Sequence, residues 1–243
     1  MKKFLCLATI LMVMALACST VSAASFFDGF EDGMLNWTTV TGKTVLDQST
    51  DRAFSGTYSA RMNTGTDYMY HNLDQYTGAF TATVYIYMQN TVTRTFFEMR
   101  GYSGGSYLSG SLNQCFALGE YDSVHSGSGW KNSKYQARVS DPSAIGWMNA
   151  DLAGAPGRSL GWHKFTIERT AANVVNFYVD DFLSQTVSNA TAGTINCILI
   201  GPGVATNGNS YYDNVFVAPE PGSLLALGTG LIGLFGIIRR KRA

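Results

Sequence analysis

Little in this chain has a helical period. Over 243 residues no long run repeats every 3.6 positions between the two ends, which excludes a helical bundle or a doubly wound α/β domain there. Cysteine is equally scarce. Of four cysteines, Cys6 and Cys18 fall in the first 24 residues, leaving only Cys115 and Cys197, too few for a disulfide framework. One bridge between them is one reading, and two buried thiols on separate strands is the other. The three histidines, His71, His125 and His163, stand far apart, and none has a metal-ligand spacing, so surface or core roles are their default. Basic residues are few in the middle of the chain. Six of the 17 Lys and Arg lie at the two ends (Lys2, Lys3, Arg239, Arg240, Lys241, Arg242), leaving 11, while all but Glu220 of the 17 acids lie between, leaving 16. Residues 25–218 thus carry a net charge of about minus five and no basic patch, which excludes a nucleic-acid partner. Internal repeats are not evident.

What is present at the ends is apolar. Lys2 and Lys3 precede an apolar run over residues 4–17, followed by small residues through Ser22, Ala23 and Ala24. The run is short for a bilayer core of about 30 Å, and with its small-residue site it has the form of a secretory signal peptide over residues 1–24, cut after Ala23 or Ala24. A lipoprotein reading through Ala15-Leu16-Ala17-Cys18 lacks the leucine usual three places before the cysteine. At the other end residues 224–238 are uncharged and apolar and are closed by Arg239, Arg240, Lys241 and Arg242. As a helix this run reaches about 22 Å, enough for a short span whose basic end stays in the cytoplasm.

Pro219-Glu220-Pro221-Gly222-Ser223 leads directly into that span and its basic end. The combination resembles the PEP-CTERM sorting signal: a Pro-Glu-Pro motif, a transmembrane helix and a short Arg-rich terminus. Gly222 intervenes where serine commonly follows the second proline. The two prolines keep the chain extended just outside the membrane, within reach of an enzyme. The resemblance implies that Pro219, Glu220 and Pro221 are read by an exosortase, with cleavage near the motif. It further implies transient anchoring in the inner membrane and delivery to the cell surface or exopolysaccharide matrix. A plain membrane anchor is the alternative.

Between the ends, short apolar and polar alternations recur about every 8 to 15 residues among Gly, Ser, Thr, Asn and Tyr. In 80–88, Phe80, Ala82, Val84, Ile86 and Met88 share one face and Thr81, Thr83, Tyr85 and Tyr87 the other. In 94–102, Phe97 and Met99 point inward and Phe96, Glu98 and Arg100 outward. In 162–170, Phe165 and Ile167 point inward and Lys164, Thr166 and Glu168 outward. Val175, Phe177 and Val179 alternate with Asn176, Tyr178 and Asp180, and Asp180-Asp181 turns the chain into 182–187 as a hairpin. Further strands are expected at 68–73, 115–121, 134–139, 196–200 and 211–217. About a dozen strands in this length are buried most economically as a two-sheet antiparallel β-sandwich over residues 25–218, an all-β fold.

Gly161-Trp162-His163-Lys164-Phe165-Thr166-Ile167, followed by residues 175–181, resembles the concanavalin A-like and laminin-G-like lectin and glucanase sandwich. Phe27-Asp28-Gly29-Phe30-Glu31-Asp32-Gly33, Ser55-Gly56-Thr57-Tyr58-Ser59-Ala60-Arg61 and Tyr212-Asp213-Asn214-Val215 are similar to the ends of jelly-roll carbohydrate-binding modules. These resemblances imply a fold more than a ligand.

Several motifs are set aside. Gly228, Gly230 and Gly233 lie in the tail with no strand before them. Gly101-Tyr102-Ser103-Gly104-Gly105 has the spelling of a nucleophile elbow without the helix that must follow. Ser128-Gly129-Trp130-Lys131 lacks the motifs that accompany it in penicillin-recognising enzymes. Glu120-Tyr121-Asp122 resembles the catalytic strand of laminarinase-like hydrolases, but their second glutamate is replaced by His125, and a retaining glycosidase needs two carboxyls about 5 Å apart. Asp28, Glu31, Asp32 and Asp213 lie near the two ends of the domain. They are either solvated turn residues or hard-oxygen ligands of a structural calcium, the one cofactor the sequence suggests. Tyr85, Tyr87, Arg100, Asn176 and Tyr178 are candidates for a carbohydrate-binding face, because sugar CH faces stack on aromatic rings and hydroxyls pair with Arg and Asn. A solvated sheet face with cross-strand tyrosines is the competing reading. The expectation is an exported, non-catalytic sandwich whose partners are an exosortase and polysaccharide or matrix components. A laminarinase-like glycoside hydrolase is the alternative.

Overall fold

The computed structural model describes residues 24–91, 94–121, 131–140, 146–188, 190, 193–202 and 210–219. The expected signal peptide through Ala23, Glu220, Pro221 and the apolar tail with its basic end lie outside them, as do Asp122, His125 and Ser128. Fifteen strands follow in chain order: β1 (Phe26–Asp28), β2 (Thr38–Thr39), β3 (Asp47–Ser49), β4 (Ser59–Met62), β5 (Met69–Tyr76), β6 (Phe80–Met88), β7 (Thr95–Tyr102), β8 (Leu112–Glu120), β9 (Gln136–Ser140), β10 (Gly146–Asn149), β11 (Gly161–Arg169), β12 (Val175–Val179), β13 (Phe182–Val187), β14 (Ile195–Ile200) and β15 (Ser210–Pro219). Among the described residues there is no helix, and so none long and apolar enough to cross a membrane.

The strands form two antiparallel sheets packed face to face, the expected sandwich. One runs β13-β12-β11-β6-β15-β4-β3, with β1 also paired to β15; the other runs β10-β9-β8-β7-β14-β5-β2. The alternation read from sequence sets the inner faces. Phe80, Ala82, Val84, Ile86 and Met88 of β6 are all fully buried, as are Phe165 and Ile167 of β11. They meet Phe97 and Met99 of β7, Phe116 and Leu118 of β8, and Ile198 and Ile200 of β14 in one core. Burying each such side chain contributes about 1.5–3 kcal/mol.

One charge is sealed into this fold. Arg169, at the end of β11, is fully buried. Its guanidinium donates to the carbonyl oxygens of Tyr76 (2.9 Å), Gly78 (2.6 Å) and Gly193 and lies 5.0 Å from the Phe80 ring centroid. Burial lowers its pKa to about 10. Carbonyl oxygens that would otherwise be unpaired at the sandwich end are thereby satisfied, the usual condition for burying polar backbone.

Candidate functional site

The sheet containing β6 presents four of the five sequence-chosen sugar-binding candidates on its outward face. Tyr87 pairs with Trp162 and Tyr211, and Tyr85 with Lys164, in register. Phe54 stacks on Tyr85 at 3.8 Å, and Trp162 meets Tyr87 edge-on at 5.5 Å. Arg52 lies over the Tyr87 ring at 4.4 Å. Asn176 and Tyr178 occupy the far end of the same face, where both donate to Glu168 Oε2 at 2.8 Å. These groups are engaged with one another across strands. Arg100 is not among them: it stands on β7, in the other sheet, and faces the opposite side of the sandwich.

The outward face around Arg100 departs from a solvated surface. Phe96, Glu98 and Tyr102 point away from the core yet are buried, Glu98 to 2% exposure. On the neighbouring β8 the outward positions are Cys115, Ala117 and Gly119, all small. They leave a shallow trough between β7 and β9 that longer side chains of the neighbouring strands cover, so that Cys115 and Ala117 are no more than 1% exposed. Register places Arg138 and then Trp147 beyond Ala117, in the row that begins at Glu98. The short Ala117 side chain lets Arg138 reach across it, so that Arg138 Nη1 lies 3.9 Å from Glu98 Oε1 while Arg100 Nη2 lies 2.5 Å from Glu98 Oε2. Tyr68 donates its hydroxyl to Glu98 Oε2. Burial, and then the Glu98 charge, raise the Tyr68 pKa well above its usual range, so the hydroxyl stays a donor. For Arg100, burial opposes the charge but Glu98 outweighs it and raises the pKa.

Aromatic rings flank this charged floor on both sides. Tyr121 stacks on Trp147 at 4.4 Å, Phe96 meets Trp147 edge-on at 5.1 Å, and Arg94 lies 5.1 Å from the Tyr121 centroid. On the other side Tyr68 and Tyr102 pack with Val40, Cys197 and Leu199, and Tyr70 stacks on Tyr107 at 4.3 Å. Of these residues the sequence points only to Arg100 as a sugar-binding candidate. The signal that could have found the rest is the outward triplet Phe96, Glu98, Arg100 beside a strand whose outward positions are all small.

The two cysteines belong to this face and form no bridge. Both are buried free thiols. In register Cys115 and Cys197 each lie opposite Arg100, one on β8 and one on β14. With β7 between them they stand two strand spacings apart, about 9.5 Å, beyond the roughly 7 Å limit between Cα atoms for a disulfide. Burial pushes both thiols up to about 12.

Three of the four carboxylates proposed for calcium accept hydrogen bonds from loop amides and side chains. Asp28 accepts from Phe30 N (2.7 Å), Asn36 Nδ2 (3.0 Å) and Trp37 Nε1 (2.9 Å). Glu31 Oε1 accepts from Thr57 N and Tyr58 N, both at 2.9 Å. Asp213 accepts from the amides of Phe54, Ser55 and Asn214, although burial still raises its pKa. Asp32 is exposed. These bonds lace the loops after β1 and β3 onto β15, and among the described residues no three His, Cys, Asp or Glu side chains are arranged for a metal ion.

Two constellations have a catalytic look. Glu120 is fully buried and follows Phe116 and Leu118 on the inward side of β8, so it does not open on the trough. His163 donates through Nδ1 to Asp180 Oδ2 at 2.8 Å, and its Nε2 lies 3.1 Å from both Oγ and O of Ser159. Burial works against the imidazolium, but the Asp180 bond and charge and the Ser159 carbonyl outweigh it, so the His163 pKa is raised. The Ser159 carbonyl oxygen can only accept, so its approach to Nε2 favours a donor at that nitrogen. The group reads as a pin. Asp180 and Asp181 form the two-residue turn after β12, both with positive φ (50° and 66°), and Asp180 Oδ1 also accepts from Lys164 N at 2.9 Å. These bonds help hold a turn that usually favours Asn-Gly. Ser103 of the discarded elbow spelling sits in the β7–β8 turn, its amide bonded to Ser111 O.

Comparison with known proteins matches this architecture. The chain carries the PEP-CTERM protein-sorting motif over residues 217–242, the mark of an exported protein with a C-terminal membrane-anchoring sorting tail. Val217 to Pro219 belong to β15, and Pro219 pairs with Phe80, so the matched segment begins inside the sandwich. Among solved structures the chain is similar to the cellulose-induced protein Cip1, with 12% identity, a TM-score of 0.52, and coverage of 79% of this chain and 96% of that one. It is also similar to the T. cruzi calreticulin globular domain, with 8% identity, a TM-score of 0.53, and coverage of 83% and 90%. At such identities the likeness is one of fold: a concanavalin A-like, jelly-roll sandwich. No curated protein matches the sequence.

Proposed function

We propose that the sandwich is a non-catalytic carbohydrate-binding domain, delivered through the sorting tail to the cell surface or extracellular matrix after processing by an exosortase. The observation that carries the binding reading is the trough of β8: a polar, charged floor of Glu98, Arg100 and Arg138 between aromatic flanks. Ligand sites for sugars combine rings for CH faces with a few fixed polar groups. Against hydrolysis, Glu98 is the one carboxylate among the described residues that faces this trough, while Glu120 is turned into the core; a retaining mechanism needs two carboxyls about 5 Å apart.

The test has two arms. Intact mass of the protein recovered from the cell surface should show a chain ending between Pro219 and Gly222, whereas an intact Ala243 terminus makes the tail a plain anchor. Co-sedimentation with insoluble polysaccharides should retain the protein and release no reducing ends, and Trp147→Ala should lower retention. Release of reducing ends would replace the binding reading by the hydrolase.

A further inference from the structure

We infer that the ligand of this trough is an acidic glycan, bearing carboxylate or sulfate ester groups, which docks on the exposed edges of Arg138 and Arg100. This rests on the carbohydrate-binding reading above and narrows it.

Charge counting points to an anion. Glu98 is shared by Arg100 and Arg138, so among the described residues two guanidinium charges face one carboxylate, a surplus of one positive charge. The surplus lies in a segment that is otherwise net negative by about five charges, so the attraction is local to the trough, not a property of the whole surface. Access is provided where the charge is. The Glu98 side chain is 2% exposed, but those of Arg100 and Arg138 are 18% and 33% exposed; Arg100 Nη1 already donates to the Tyr102 hydroxyl at 3.2 Å, so an incoming ligand meets chiefly Arg138.

The chemistry of the donors fits a planar or trigonal oxyanion. Guanidinium presents paired N–H groups that match carboxylate and sulfate oxygens in a bidentate fork. Glu98 fixes the inner edge of Arg100 and lies 3.9 Å from Arg138, so Arg100 loses little side-chain freedom on binding. Trp147, 5.8 Å from the Arg138 guanidinium carbon, places an aromatic ring beside the anion site, where a pyranose ring attached to that anion can lie.

The experiment compares retention of the mature chain on polygalacturonate, dextran sulfate and the neutral glucan laminarin, at low and at high salt. Expected is binding to one or both acidic polymers, at least about tenfold tighter than to laminarin, weakening as salt rises; the stronger of the two identifies carboxylate or sulfate. Arg138→Gln should lose about tenfold or more of that affinity, and Arg138→Lys, which keeps the charge and loses the fork, should recover only part of it. Arg138 is chosen because Arg100→Gln would strand the buried Glu98, and circular dichroism and the thermal midpoint of each variant establish that it folds. Equal or tighter binding to laminarin, or an unchanged affinity in Arg138→Gln, overturns the acidic assignment and leaves carbohydrate binding standing. Absence of binding to all three polymers and to insoluble polysaccharides removes both.

Discussion

His163 Nδ1 donates to Asp180 Oδ2 at 2.8 Å, joining β11 to the turn that leads from β12 into β13. Both groups shift in the direction of the charged pair. His163 is raised above 6.5 against the opposing effect of burial, and Asp180 is lowered below 3.8, again against burial, by its bonds to His163 and the Lys164 amide. A raised histidine contributes stability that is complete below 6.5 and is lost as pH rises through its folded value. A lowered aspartate contributes stability that is complete above 3.8 and is lost as pH falls through its folded value. The pair should therefore stabilise most between about pH 3.8 and 6.5. Chemical denaturation of the mature chain and of His163→Gln across pH 3 to 9 checks this: the difference between them should be largest on that plateau and shrink on both sides. A difference that grows above pH 6.5 would mean that His163 is buried neutral and that the pin is misread.

Cys115 and Cys197 make a second prediction. Their thiols are buried and pushed up to about 12, so at pH 8 only about one in ten thousand is a thiolate, the reactive form. A thiol reagent should label neither cysteine in the folded mature chain and both after denaturation without reductant. Failure to label after denaturation, reversed by reductant, would show a bridge and require the β7–β8–β14 order to differ.

Why the sequence was legible in one respect and not in another follows from what alternation encodes. Period two separates inward Phe80, Val84, Phe97 and Phe165 from their outward neighbours, and those assignments match the core. It does not say which sheet a strand joins. β6 and β7 are consecutive in the chain but lie in opposite sheets, so Tyr85 and Arg100, both outward, face opposite sides of the molecule. The same gap hides β7 between Cys115 and Cys197. β1, β2 and β3, two or three residues long, are too short to show any period. The carboxylates near the domain ends accept from amides of Phe54, Thr57 and Tyr58, and residue type alone does not distinguish such an acceptor from a calcium ligand.

The third prediction concerns where the mature chain begins. Ala24 N lies 3.1 Å from Asp74 Oδ2, and the Tyr76 hydroxyl donates to Ala24 O. β1 runs antiparallel to β15 with Phe26 opposite Val217, so Ala24 sits at the end of the sandwich where the chain leaves β15 for its sorting tail. Cleavage after Ala23 turns the Ala24 amide into an α-ammonium and the hydrogen bond to Asp74 into an ion pair; cleavage after Ala24 removes both contacts. Cleavage after Ala23 keeps both contacts, which hold the new terminus against β5 instead of leaving it to fray. N-terminal sequencing of the surface protein should read Ala24-Ser25-Phe26. Asp74→Asn should lower stability by less than about 1 kcal/mol, since the pair is exposed, and acetylation of the terminal amine should produce a similar loss in the parent chain and none in the variant. A terminus at Ser25 would instead leave Asp74 and the Tyr76 hydroxyl without these partners, with the first strand held by the β1–β15 pairing, the Asp28 bonds and the Phe26–His71 stack.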